Sequence, residues 1–146
     1  MIKTKIKNKI NTRSQKKIKD LDKNIKLKVG FWSSTTYPDG AKVSHIAQYM
    51  EFGTNKIPAR PFFRNAIKHN KRKWRERLYK DMQKDFIPLT AFKRLGVLIQ
   101  ADIRDSIKNG IYVPLKPYTI QKKGFDKTLI DTGTMLRSVD WEVTSK

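Results

Sequence analysis

The sequence predicts an α+β fold: a small antiparallel sheet packed against two long helices, with a basic N-terminal arm ahead of it. Three observations carry that prediction. Ile25 to Trp32 and Val139 to Val143 alternate apolar with polar side chains, the period of a half-buried strand. Residues 61–86 and 88–109 instead repeat apolar side chains at three-, four- and seven-residue steps, the period of a helix with one buried face. Residues 1–28 carry eleven Lys or Arg against only Asp20 and Asp22. The expected organisation is an arm over 1–24 and a single α+β domain over 25–146.

Composition narrows the function classes. The chain has 146 residues, the size of one domain with an arm. Apolar residues make up 38% and charged residues 32%, so part of the chain is expected to be solvated or to lie at an interface. There are no cysteines, which excludes disulfides, thiolate metal sites and cysteine nucleophiles. No apolar run approaches the roughly 18 residues of a membrane span, and the basic N-terminus lacks the apolar stretch of a signal peptide. Net charge is +20, which calls for an acidic or nucleic-acid partner. A lysine-rich composition also follows from an AT-rich genome, so charge alone does not name that partner.

Taken in order, the opening Ile2 to Ile10 alternates, with Lys3, Lys5, Lys7 and Lys9 on one side. Like charges on one face repel in a free monomer. The segment reads as a mobile arm or as a strand that orders only against a partner; the alternative is a solvated tail. Gln15 to Lys23 allows a short helix with Ile18 and Leu21 inward. Ile25, Leu27, Val29 and Phe31 form the inner face of the first strand. Pro38-Asp39-Gly40 marks a surface turn. Lys42 to Phe52 is the first compact helix, with Ile46, Ala47, Met50 and Tyr49 able to share a face.

A corner follows. Gly53 can take the left-handed conformation that ends a helix, Thr54 and Asn55 are turn formers, and Pro58 and Pro61 each disfavour helix in the preceding residue. Pro61 suits the first turn of a new helix, and Phe62 and Phe63 supply its apolar start. Glu51 and Arg60 are expected to pair across this corner, with Phe52, Pro61 and Phe62 anchoring it. In the helix over 61–86, Ile67, Trp74, Leu78, Met82 and Phe86 make a narrow apolar stripe. The rest is basic, and Arg64, Lys68, Lys71, Arg72 and Arg75 are candidate contacts to DNA or to an acidic partner, unless the face is simply solvated. In the helix over 88–109, Leu89, Phe92, Leu95 or Gly96, Ile99, Ile103 and Ile107 give the cleanest amphipathic pattern, and this helix is expected to back the sheet. Gly96 costs about 1 kcal/mol relative to alanine in mid-helix, which points to a close backbone approach there. Ile111 to Lys116 is extended, Pro117 to Lys123 is a short helix closed by Gly124, and Asp131 or Thr132 caps a last helical step before the final strand.

No catalytic constellation is present at credible spacing. The chain lacks a phosphate-cradling glycine loop and a paired-histidine metal motif. His45 and His69 read as ordinary packing or surface residues. Asp131-Thr132-Gly133 has the wording of the aspartic-protease triplet, but that site needs two carboxylates sharing a proton and no second copy exists. The expectation is a non-enzyme with no cofactor and no metal.

The wording of two stretches does carry a resemblance. Glu51-Phe52-Gly53-Thr54, followed by Pro58-Ala59-Arg60-Pro61-Phe62, resembles the signature of the tailed-phage virion morphogenesis proteins. That group includes neck and tail-completion, or head–tail joining, proteins of long-tailed phages. Its C-terminal pattern is similar to Thr119-Ile120-Gln121-Lys122-Lys123-Gly124, then Leu129-Ile130-Asp131-Thr132-Gly133, Met135-Leu136-Arg137-Ser138 and the final strand. Together the motifs cover roughly 43–143. One extra residue separates Gly133 from Leu136, and the arm over 1–24 has no counterpart. The resemblance implies a structural virion protein, made in the host cytoplasm, that assembles as a ring or decorates one around the DNA channel. Its implied partners are copies of itself, portal or head-closure proteins, and tail-tube or tail-terminator proteins. Contact with packaged DNA is also implied, and a membrane is not. The competing expectation is a basic nucleic-acid-binding protein using residues 64–84 and the arm, although no helix-turn-helix, zinc finger or aromatic RNA-binding signature accompanies it.

Overall fold

The computed structural model describes residues 24–85 and 87–145. The expected strand over Ile2 to Ile10, the short helix over Gln15 to Lys23 and the stripe residue Phe86 lie outside them. The fold is α+β. Strand β1 (Ile25–Phe31) leads to helices α1 (Val43–Phe52), α2 (Phe62–Asp85), α3 (Pro88–Asn109), α4 (Pro117–Lys123) and α5 (Thr134–Arg137), and the chain returns as β2 (Val139–Ser145). No helix among the described residues is long and apolar enough to cross a membrane.

The two strands pair antiparallel although more than a hundred residues separate them, with Phe31 opposite Val139 and Val29 opposite Trp141. The register sets Lys28 against Glu142 on the outer face, an opposite-charge pair, and Leu27 against Val143 on the inner one. A two-stranded sheet has too little apolar contact to stand alone. Helix α3 supplies the rest: it packs against β1, β2, α2 and α5. Of the face that the periodicity predicts, Leu95, Ile103 and Ile107 are buried and Phe92 and Ile99 half-buried, whereas Leu89 at the helix start is exposed and Ala91 is buried in its place. Ile103 and Ile107 join Val43 and Ala47 of α1, Phe62 and Ala66 of α2, and Leu129, Met135 and Val139 in one core. Polar side chains of α3 also tie down the start of β2: Gln100 Nε2 donates to the Val139 carbonyl at 2.7 Å, and Arg104 Nη2 to the same oxygen at 2.9 Å.

The buried line of α2 differs from the expected stripe. Phe62 and Ala66 are buried, and Trp74, Leu78 and Met82 are half-buried, but Ile67 is 40% exposed. Trp74 is held by polarity as well as packing, because its Nε1 donates to Asp102 of α3 at 2.6 Å. Asp102 also takes the Lys73 ammonium at 2.7 Å, so one carboxylate clamps the two long helices. Asp81, buried in the same interface, pairs with Arg77 and Arg94.

Gly96 does allow a close approach, but of a side chain rather than a backbone. A Cβ placed there would lie 2.7 Å from the Trp141 ring atoms Cδ2 and Cε3. The indole thus lies on the bare helix backbone, fixing the distance between α3 and β2. Alanine would recover about 1 kcal/mol of helix propensity but overpack this contact, an effect of about 1–3 kcal/mol in well-packed cores. Gly96→Ala is therefore expected to lower stability in urea unfolding. Combining it with Trp141→Leu should cost less than the sum of the two single changes, because the smaller side chain removes the clash.

Candidate functional site

The corner between α1 and α2 is built around one carboxylate. Gly53 ends α1 with φ 75° and ψ 174°, a positive-φ extended conformation and not the expected left-handed one, and a Cβ there would meet Ala59 N at 2.8 Å and Ile57 O at 2.9 Å, so both conformation and space require glycine. Thr54 closes the following turn: its Oγ1 accepts from Lys56 N and Ile57 N, and its own N–H donates to the Ile57 carbonyl at 2.8 Å. Arg60 N then donates to the Met50 carbonyl at 2.7 Å, bringing the chain back alongside α1. Across this return, Glu51 reaches the first turn of α2. Its Oε2 accepts from Phe63 N at 2.8 Å, and its Oε1 from Arg64 N at 3.1 Å and Arg64 Nε at 2.8 Å. A helix start leaves amide donors unsatisfied and carries partial positive charge, and here a side chain from the preceding helix meets both.

The expected Glu51–Arg60 pair is thus replaced. Glu51 pairs with Arg64, which also donates to the Glu51 carbonyl at 2.9 Å and sits 4.9 Å from the Phe52 ring centroid. Arg60 faces the other way: its Nε donates to the Val113 carbonyl at 3.2 Å, and its Nη1 contacts Met50 Sδ at 3.8 Å. The reason is backbone geometry. Arg60 lies just before α2, where its N–H is committed to Met50, whereas Arg64 lies inside the first turn of α2 beside the carboxylate. Phe52 is likewise not a core anchor. It is 62% exposed and lies beneath the Arg64 guanidinium, while Phe62 is 1% exposed and carries the anchoring role.

The second motif meets the first. Residues Leu129 to Met135 and the corner residues Met50, Ile57, Pro58 and Arg60 line one groove of about 580 Å³. Helix α4 and the extended segment Val113 to Lys116 complete its walls. Asp131 does not cap α5. It is exposed, and the Thr134 N–H instead reaches Thr132 Oγ1 at 3.4 Å. Gly133 stands at the helix entrance with φ 76° and ψ 4°, and Arg137 Nη2 closes back on the Thr132 carbonyl at 3.1 Å. Leu136 packs half-buried against the core. Lys123 of α4 donates to the Lys127 and Ile130 carbonyls, binding the loop to the helix.

Electrostatics differ between the groove and the outside. Burial lowers the Arg60 pKa. Burial also lowers that of Lys123, opposed by Asp131 and reinforced by Arg60. Tyr37, on the groove wall, is pushed up by burial and then by Asp131 and Asp39. Outside, Lys68, Lys71, Arg72 and Arg75 are all exposed at three- and four-residue steps of α2, continuing the row that Arg64 begins. Arg72 has a loose partner in Glu76 at 3.6 Å. His45 and His69 are exposed. Among the described residues, no group of three or more His, Cys, Asp or Glu is placed to hold a metal ion. Sequence reading missed Val113, Lys123, Tyr37 and the Trp141–Gly96 contact. Val113 and Trp141 act across long sequence separations, and Tyr37 and Lys123 matter through the groove they line, so periodicity gave no signal for any of them.

Glu51→Gln is expected to cost about 2 kcal/mol in urea unfolding, since it removes a charged acceptor from two helix amides and a guanidinium. Arg64→Gln should cost less than about 1 kcal/mol, because Arg64 is more than half exposed and water screens its share of the pair. Gly133→Val places a β-branched residue at positive φ and is expected to cost roughly 1–3 kcal/mol and to lower the yield of folded protein.

No protein-family model matches the chain, and searches of curated proteins and of solved structures found no match.

Proposed function

We propose that this protein is a structural, non-enzymatic virion component of the head–tail junction of a long-tailed bacteriophage: a neck or tail-completion protein that joins the portal side to the tail. The observation that carries this reading is the meeting of the two motifs. Glu51 to Phe62 and Leu129 to Leu136, the stretches that resemble the phage family, converge on one corner and one groove. Their residues do architectural work there. Glu51 orients a helix, Gly53 and Gly133 allow turns, and Phe62 fills the core.

Two surfaces suit an assembly partner. Both outer edges of the β1–β2 sheet lack a partner strand among the described residues, and such edges favour pairing with another chain. The exposed cationic row on α2 would face an acidic subunit or the DNA channel. That row also favours the second reading, a nucleic-acid-binding protein, because closely spaced cations on one helix face suit phosphates.

Light scattering on the purified protein at low and high salt, without nucleic acid, separates the two. The connector reading expects a defined oligomer, or a monomer that assembles only on neck or tail partners. A persistent monomer that binds DNA at physiological salt and ignores those partners overturns it. The nucleic-acid reading further expects a steep loss of DNA affinity with salt, reduced in slope when Lys68, Lys71, Arg72 and Arg75 are neutralised.

A further inference from the structure

We propose that the groove between the corner and the C-terminal turn binds a carboxylate carried on an apolar peptide segment of a partner protein, with Arg60 as the group that receives it. Arg60 is 5% exposed and lines this groove. A guanidinium has five N–H donors. Here one donates to the Val113 carbonyl and one contacts the Met50 sulfur, a weak acceptor. Nη2 has no hydrogen-bond partner among the described residues, and no carboxylate among them pairs with Arg60. Buried arginines are ordinarily paired with an acid, because an isolated charge in a low-dielectric site is costly. An incoming carboxylate would accept from Nη2 and supply the countercharge that the guanidinium lacks among the described residues.

The surroundings specify what carries that carboxylate. The wall is largely apolar, formed by Ile46, Met50, Ile57, Leu115 and Ile130, and the volume of about 580 Å³ suits one or two side chains with their backbone. Lys123 adds a second cation at the groove, its ammonium already engaged by two carbonyls. The rim is mixed: Lys56 and Lys116 stand there with the acids Asp39 and Asp131, all four exposed. A nucleic-acid strand would carry several phosphates past those acids. A single carboxylate flanked by apolar side chains meets less of that repulsion on its way to Arg60. The net charge of +20 also favours acidic partners in general. This inference goes beyond the connector reading and does not depend on it, since it rests only on the groove.

The test uses the full chain labelled with ¹⁵N and two blocked tripeptides, acetyl-Leu-Glu-Leu-amide and acetyl-Leu-Gln-Leu-amide. The Glu peptide is expected to shift groove resonances saturably, including the Arg60 Nε–H signal, with a dissociation constant near or below about 1 mM. It should bind about tenfold or more tighter than the Gln peptide, the usual worth of a charge-assisted hydrogen bond. Inorganic phosphate and a short oligothymidylate should not displace it. Arg60→Gln should erase the Glu-over-Gln preference. Because that change also breaks the Val113 contact, Thr119→Trp serves as a second variant: it fills the groove from α4, leaves Arg60 in place, and should abolish binding. Equal affinity for the two peptides overturns the proposal, as do shifts confined to α2 and the absence of groove shifts at about 10 mM peptide. Displacement by phosphate or the oligonucleotide reassigns the groove to polyanions and overturns it as well. Peptide binding by a chain that fails to oligomerise would leave the groove assignment standing while the connector reading falls.

Discussion

A carboxylate with only 5% of its residue surface exposed must have its hydrogen bonds satisfied, and Glu51 meets that demand with two backbone amides and a guanidinium at the start of α2. Much of the fold's geometry follows from that contact. It fixes the angle at which α2 leaves α1, and so drops Phe62 into the core against Phe31 of β1, the ring centroids 6.0 Å apart and nearly perpendicular. The Phe62 carbonyl accepts a bond from Ser106 Oγ of α3 at 2.8 Å. Ser106 in turn meets the Tyr112 hydroxyl, which also donates to the Ser106 carbonyl. One acid therefore sets a relay of polar contacts that places α2 on α3 and steers the chain beyond α3 towards the groove.

Much of this was legible in the sequence because it is local. Alternation marked both strands, and the 3.6-residue period marked α3 and its buried face. Pro61, Pro88 and Pro117 marked helix starts, and Gly53 and Gly124 marked ends. These signals concern the chain's own neighbours. What failed was partner choice across space. Glu51 and Arg60 look like natural mates by spacing and charge, yet the backbone bond from Arg60 to Met50 turns that side chain away. Arg64, one helical turn later, takes its place. Ile67 matched the stripe at seven residues before Trp74, but seven steps of an α-helix fall about 20° short of two full turns. Ala66, too small to stand out in a hydrophobic pattern, lies inside instead. Gly96 was read as a place of close approach, but only the fold names Trp141 as what approaches.

The candidate site shows the same division. Its two halves are readable as wording, and each half looks like a self-contained turn. That they share a groove depends on α3 and the Val113 to Lys116 segment carrying the chain back past Arg60. No pattern in the intervening stretch encodes that distance. Tyr37 and Lys123 became groove residues for the same reason. Tyr37 precedes a turn and Lys123 ends a short helix, and the sequence signals there describe the local element and not what it faces.

Charge in this protein does two different kinds of work, and burial separates them. Lys68, Lys71, Arg72 and Arg75 lie in water, where each attraction is weak, falls with salt and depends little on what carries the negative charge. Such a row gathers acidic partners and speeds encounter, with little power to choose among them. Arg60 is a single charge, but it has lost most of its water and pairs with no acid among the described residues. A group in that state discriminates strongly, because an ill-matched ligand leaves it both dehydrated and unpaired. Counting basic residues would therefore rank the surface of α2 first. Weighing what each cation has given up to the fold ranks Arg60 first, and the choice of partner should follow the second ordering.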